Sequence, residues 1–160
     1  MQDTSILIGD KEYHLRYEIR QQMDILKNGP KKLDPDRKDL KFSSPIEALN
    51  YLGNWEAQIY LLQKGLEWSG SGAEKIDFDR AAELRQEYLE QGEADAGEKH
   101  DAFTQLLADA LSLNVAGASA KKLQERGEAM RKRMEEEKLA EIYRAKALSE
   151  TGSMPPNEPQ

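Results

Sequence analysis

The chain has 160 residues, 38% of them hydrophobic and 33% charged, which suits one ordinary domain plus an appendage. It contains no cysteine, so disulfides, thiol catalysis and cysteine–zinc sites are excluded. Its 30 acidic residues against 23 basic ones give a formal charge of −7 and argue against broad nucleic-acid binding.

Residues 4–17 read TSILIGDKEYHLRY. A two-residue Gly9-Asp10 loop pairs Ile8 with Lys11 and Ile6 with Tyr13. Ile6, Ile8, Tyr13, Leu15 and Tyr17 then share one face. Ser5, Glu12, His14 and Arg16 take the other, with Leu7 as the apolar exception. This predicts a β-hairpin. Two strands alone are marginal, so helices or a second subunit must cover them. A short helix is predicted over residues 18–27, with Ile19, Met23 and Leu26 inward and Asn28-Gly29-Pro30 as its end. Residues 31–43 are charge-mixed, carry Pro35 and read as a connection. Asp34, Asp36 and Asp39 lack the spacing and closing glutamate of a calcium loop.

Residues 44–68 form the richest apolar stretch. Ser44, Pro45 and Glu47 spell a capped helix start. Ala48, Leu52, Trp55, Ile59, Leu62 and Leu66 follow at steps of four and three, a helical period. One long central helix is expected, with Leu52, Trp55, Ile59, Leu62 and Leu66 in the core. Trp55 alone would bury about 150–250 Å². Gly53 inside that helix suggests that another element crosses there.

A glycine–serine turn follows at residues 69–73. It lacks the Gly-Lys-Ser/Thr ending of a phosphate loop. In the next helix Asp77 or Asp79 is the cap, Ala81, Leu84 and Tyr88 face inward, and Gly92 closes it. The helix after that points Phe103, Leu106, Leu107, Ala110 and Leu111 inward. Phe103 and Leu107 join the predicted core, which spans residues 1–114. Residues 115–150 hold a linker and a long charged helix over 120–148. On one thin face it carries Leu123, Met130 and Met134, and on another Leu139, Ile142 and Tyr143. Leu123, Met130, Met134, Ile142 and Tyr143 are the candidate partner-binding residues. Residues 151–160, with three prolines, are expected to be a disordered tail. The predicted class is thus mainly α with a small β part: a helical domain opened by a hairpin and followed by a charged helix.

Catalysis needs activated groups gathered in one place. His14 and His100 fall on different elements, Ser43 and Ser44 have no base nearby, and Glu47 is committed to capping. No catalytic, metal or cofactor residues are therefore assigned, and no cofactor is expected. No run approaches the roughly 18 apolar residues of a membrane span, so no membrane partner is expected either.

Taken together, ILIGDKEYHLRY, EIRQQMDILKNG, EAQIYLLQKGLEW, DRAAELRQEYLEQG and FTQLLADALSLN resemble, in order and character, the tail assembly chaperones of long-tailed bacteriophages. The likeness spans residues 5–114. It implies a non-enzymatic protein of the host-cell cytoplasm, left out of the mature virion. Its partners would be the tape measure protein and the tail tube protein. Members of that family often occur in short and frameshift-extended forms. Self-association through the hairpin edge or the 120–148 helix is also expected, since a two-stranded sheet leaves its edges open. The alternative class is a structural virion component, such as a head–tail connector or capsid accessory protein.

Overall fold

Gly9 and Asp10 turn the chain between β1 (Thr4–Ile8) and β2 (Lys11–Leu15), in a computed structural model that describes residues 2–68, 75–117 and 120–152. The strands are antiparallel, with Ile8 opposite Lys11 and Ile6 opposite Tyr13, the register that the sequence predicts. Gly9 takes a φ of 62°, a left-handed conformation natural to glycine. Ile6, Ile8, Tyr13, Leu15 and Tyr17 are buried and Leu7 is exposed. Among the described residues five helical elements and one further long helix follow, so the class is mainly α with an N-terminal hairpin.

The hairpin edges are not left open at Leu7 and His14. In this register the backbone groups of both point away from the partner strand. Gln91 Nε2 donates to the Leu7 carbonyl at 2.7 Å, and its Oε1 accepts the Gly9 N–H at 2.6 Å. On the other edge Trp68 Nε1 donates to the His14 carbonyl at 2.9 Å, and the Arg16 N–H reaches the Gly65 carbonyl at 2.9 Å. Side chains and a helix carbonyl thus occupy positions that a further strand would use.

Helix α1 spans Ile19–Leu33 and corrects two expectations. It runs through Asn28, Gly29 and Pro30 rather than ending there. Proline forfeits one helical bond, but continuing brings Leu33 into the core, and the Asp34 N–H closes on the Pro30 carbonyl at 3.0 Å. Its buried row is Gln21, Ile25, Gly29 and Leu33; of the three residues expected inward, Leu26 packs partly buried against the core, whereas Ile19 and Met23 face outward. Ile19 is 66% and Met23 42% exposed. Once the helix is long enough to include Leu33, the every-fourth-residue row from Ile25 sets its rotation. Gly29 belongs to that row because a Cβ there would stand 3.0 Å from the Phe42 ring.

The predicted central helix is two elements. A 3₁₀ helix covers Pro45–Tyr51, and α2 covers Trp55–Leu66. The capping box is as expected: Ser44 Oγ accepts the Ile46 N–H at 3.3 Å and Glu47 Oε2 accepts the Ser44 N–H at 3.3 Å. The Asn54 side chain then caps a new helix by accepting the Glu56 N–H at 3.0 Å. This break overturns the core assignment of Trp55, which is 55% exposed. As the first residue of α2 it has no preceding turn to cover, and helical side chains lean toward the N-terminus. Its ring therefore has no turn of its own helix to pack on and stays exposed. Leu52 is only partly buried, packed against the core, whereas Ile59, Leu62 and Leu66 are buried.

No neighbour lies within 4 Å of a Cβ built at Gly53. The close crossing is at Gly65 instead, where a Cβ would stand 3.0 Å from both Leu15 and Tyr17. Helix α2 contacts α1, β2, α3 (Phe78–Glu90) and α4 (Ala96–Ala116), so it is the hub that the sequence suggests. Asp77 caps α3, and Ala81, Leu84 and Tyr88 are its buried face. In α4, Phe103, Leu107, Ala110 and Leu111 are buried, and Leu106 is partly so. Helix α4 continues past Asn114 to Ala116 and ends at Gly117, whose φ is 72°.

Tyr17 ties the hairpin to this core. Its hydroxyl donates to the Leu61 carbonyl at 2.6 Å, and its N–H donates to Asn114 Oδ1 at 2.6 Å. Burial drives the Tyr17 hydroxyl far above its ordinary pKa, so it remains a donor.

The chain divides into two units, residues 1–121 and 122–160. The second consists, as far as it is described, of α5 (Ala120–Gly152) from Lys122 onward. Thr151 and Gly152, expected in the tail, are helical; the rest of that expected tail and the 69–73 turn lie outside the described residues. No helix of the described residues is long and apolar enough to cross a membrane.

Candidate functional site

Three features outside ordinary packing could bear function. The first is a polar node inside the helical core. Gln58 is fully buried on α2, a position between the apolar residues that marks it in the sequence only in hindsight. Its Nε2 donates to the Leu52 carbonyl at 2.7 Å and lies 2.8 Å from His100 Nε2. Arg85 Nε donates to Gln58 Oε1 at 2.8 Å. The amide thus joins α2, α3, α4 and the turn before α2. The tautomer of His100 sets the direction of its bond with Gln58. Burial lowers the Arg85 pKa from its ordinary value. All of the Gln58 polar atoms are engaged, so this node is a strut that fixes helix spacing.

The second is a groove of about 440 Å³ between α1 and α2, walled by Asp24, Asn28, Glu56, Tyr60, Lys64 and Phe78 among others. Lys64 makes an ion pair with Asp24 and a second with Glu67 at 3.1 Å. Burial opposes the charge of Asp24, but hydrogen bonds from Lys64 and Asn28 outweigh it and hold the carboxyl below its ordinary range. Lys64 is the mirror case: burial disfavours its charge, and bonds to Asp24 and Glu67 carry its pKa upward. The buried Tyr60 hydroxyl has no hydrogen-bond partner among the described residues. Burial first, then the charges of Asp24 and Glu67, push its pKa up, so it stays protonated. The groove therefore offers a neutralised ion pair, a silent phenol and an apolar wall. It lacks a nucleophile with its base. Neither histidine lies in it: His14 faces Asp3 at 3.2 Å, and His100 serves the Gln58 node. No group of three or more metal-ligating side chains occurs among the described residues.

The third is the surface of α5. Met130, Met134, Leu139, Ile142, Tyr143 and Leu148 are each more than half exposed. Leu123 is partly exposed. None of the described side chains of this helix is buried. Sequence reading picks out Leu123, Met130, Met134, Ile142 and Tyr143 as partner-binding candidates, and all five stand on this one helix. It misses Leu148, whose place becomes visible only when the helix is followed to Gly152. The exposed pair Ile19 and Met23 on α1 and the exposed Trp55 ring add apolar surface to the first unit. Comparison with protein-family models, curated proteins and solved structures returns no match.

Proposed function

We propose that the protein is a tail assembly chaperone of a long-tailed bacteriophage, non-catalytic, whose main client is the tape measure protein and whose second partner is the tail tube protein. The observation that carries this is the apolar surface left exposed along the 33 residues of α5. A tape measure protein is long and helical, and its apolar faces need cover before the tube encloses them. An exposed amphipathic helix meets such a client by helix-on-helix contact, and methionines adapt to irregular partners. The resemblance over residues 5–114 supports the same reading, since it rests on a hairpin followed by helices. Such a chaperone acts in the host-cell cytoplasm and is absent from the finished particle.

The test is co-expression with the tape measure protein, using the full chain and a chain lacking residues 122–160. The expected result is a soluble complex with the full chain that is lost on truncation. It should weaken on Tyr143→Glu and change little with salt, unlike a nucleic-acid complex. A tape measure protein equally insoluble with either chain, with no complex recovered, would overturn the reading. Recovery of the protein from purified mature particles would favour a structural virion component instead.

A further inference from the structure

One face of α5 is self-complementary about its own midpoint. Leu123, Gly127, Met130, Met134, Lys138, Glu141, Ala145, Leu148 and Gly152 follow at steps of four, three, four, four, three, four, three and four. That averages close to the α-helical 3.6, so the row stays on one side of a straight helix for eight turns. Reversal about a point midway between Glu137 and Lys138 carries every member of the row onto another member except Lys138, which falls on Glu137 beside the row. Reversing the helix about that point sets Gly127 opposite Leu148 and Met130 opposite Ala145. It sets Glu137 opposite Lys138 at the centre. Leu123 falls opposite Gly152, and Met134–Glu141 is the one mixed pair.

We infer that α5 pairs with α5 of a second copy of this chain, antiparallel and in that register. Large residues then meet small ones, and opposite charges meet at the two-fold axis. A parallel pair would set Glu137 against Glu137, Lys138 against Lys138 and Gly127 against Gly127, stacking like charges and leaving a gap.

An independent observation is Gly127 itself. A glycine inside a helix costs about 1 kcal/mol relative to alanine. A Cβ at this position would meet nothing within 4 Å among the described residues. Nothing among the described residues requires the glycine, whereas the proposed pair does: it makes room for Leu148 of the second copy and lets the axes approach toward the low end of the usual 8–10 Å separation. Met130, Met134 and Leu148, the bulky members of the row near its middle and end, are all solvent-exposed and available to pair. Leu139 and Tyr143 project from the opposite side, so pairing leaves them for a client.

The chain has no cysteine of its own, so single cysteines report the register. Full-length Met130→Cys and Ala145→Cys chains are oxidised alone and as a mixture. The expected result is a disulfide-linked dimer in the mixture and none with either chain alone, because each cysteine faces the other position and not itself. Cross-linking of each variant alone, or of neither preparation, overturns the antiparallel register. Sedimentation of cysteine-free chains gives a second reading that does not depend on disulfide geometry. Met130→Ala and Ala145→Met should each raise the dimer Kd about tenfold or more, and the double variant should return to within about threefold of the parent. These residues are all good helix formers, so circular dichroism should remain constant. A monomer at every concentration, or additive losses in the double variant, also overturns it.

Discussion

Helices α4 and α5 have similar helical signals and different fates. In α4, Phe103, Leu107, Ala110 and Leu111 fall within nine residues and all are buried. In α5, Leu123, Met130 and Met134 are spread over twelve residues, and none is buried. Periodicity says that a segment is helical. The density of apolar surface along the stripe decides whether the helix has enough to gain from joining a core. The thinner stripe of α5 stays exposed, on a helix held by its propensity and by its flanking charges.

The sharpest way to break this contrast is truncation inside each helix. Phe103→Ala should destabilise the first unit by about 3–5 kcal/mol, whereas Met134→Ala should leave its denaturant midpoint within about 0.5 kcal/mol of the parent. Amide exchange should follow, with α2 and α4 slowest and α5 faster. Equal losses from the two substitutions would make α5 part of the core. A pair of glycines refines the point within the first unit. Gly65→Ala forces a methyl against Leu15 and Tyr17 at 3.0 Å and should cost about 1–3 kcal/mol. Gly53→Ala meets open space and should be neutral to within about 0.5 kcal/mol. Trp55→Ala comes next, with an expected cost of about 1 kcal/mol or less. A loss of 3 kcal/mol or so, the range for an emptied aromatic site, would place the ring in the core.

The smallest effect is a pH dependence at the rim of the first unit. The Asp24 pKa is lowered in the folded protein. The stabilisation from its pairing is therefore present above the unfolded value of about 3.9 and is lost as pH falls below it, through the folded value. Asp24→Asn should flatten the acid limb of a stability–pH curve below about pH 4 and leave the neutral region with the constant loss of that pair. An unchanged acid limb would show that Asp24 does not titrate differently on folding.

Much of the fold was legible because local rules and tertiary packing agree. The Gly9-Asp10 turn, the strand alternation, the Ser44–Glu47 box and the inward faces of α3 and α4 each follow from a few neighbouring residues. The errors arose where the decision was not local. Pro30 looks like a terminator until Leu33 and Phe42 supply a reason to continue. Trp55 looks like core because its spacing fits, and spacing cannot reveal that Asn54 starts a fresh helix. Gln58 was invisible as a strut, since its three partners come from residues 52, 85 and 100. The α5 surface was legible as a charged helix with thin apolar faces, but its internal symmetry needs the full extent to Gly152.

The bond from the Tyr17 N–H to Asn114 spans 97 residues of sequence. Asn114 Nδ2 also donates to the Gln2 carbonyl, across 112 residues. On a ribosome adding about 5–20 residues per second, the first of these partners waits on the order of 5–20 s for the second. During that interval the apolar face of the hairpin has no α4 to close over it, and Gln91 reaches the Leu7 edge only when most of the wait is over. The hairpin, made before α4, is thus among the last parts of the first unit to be locked.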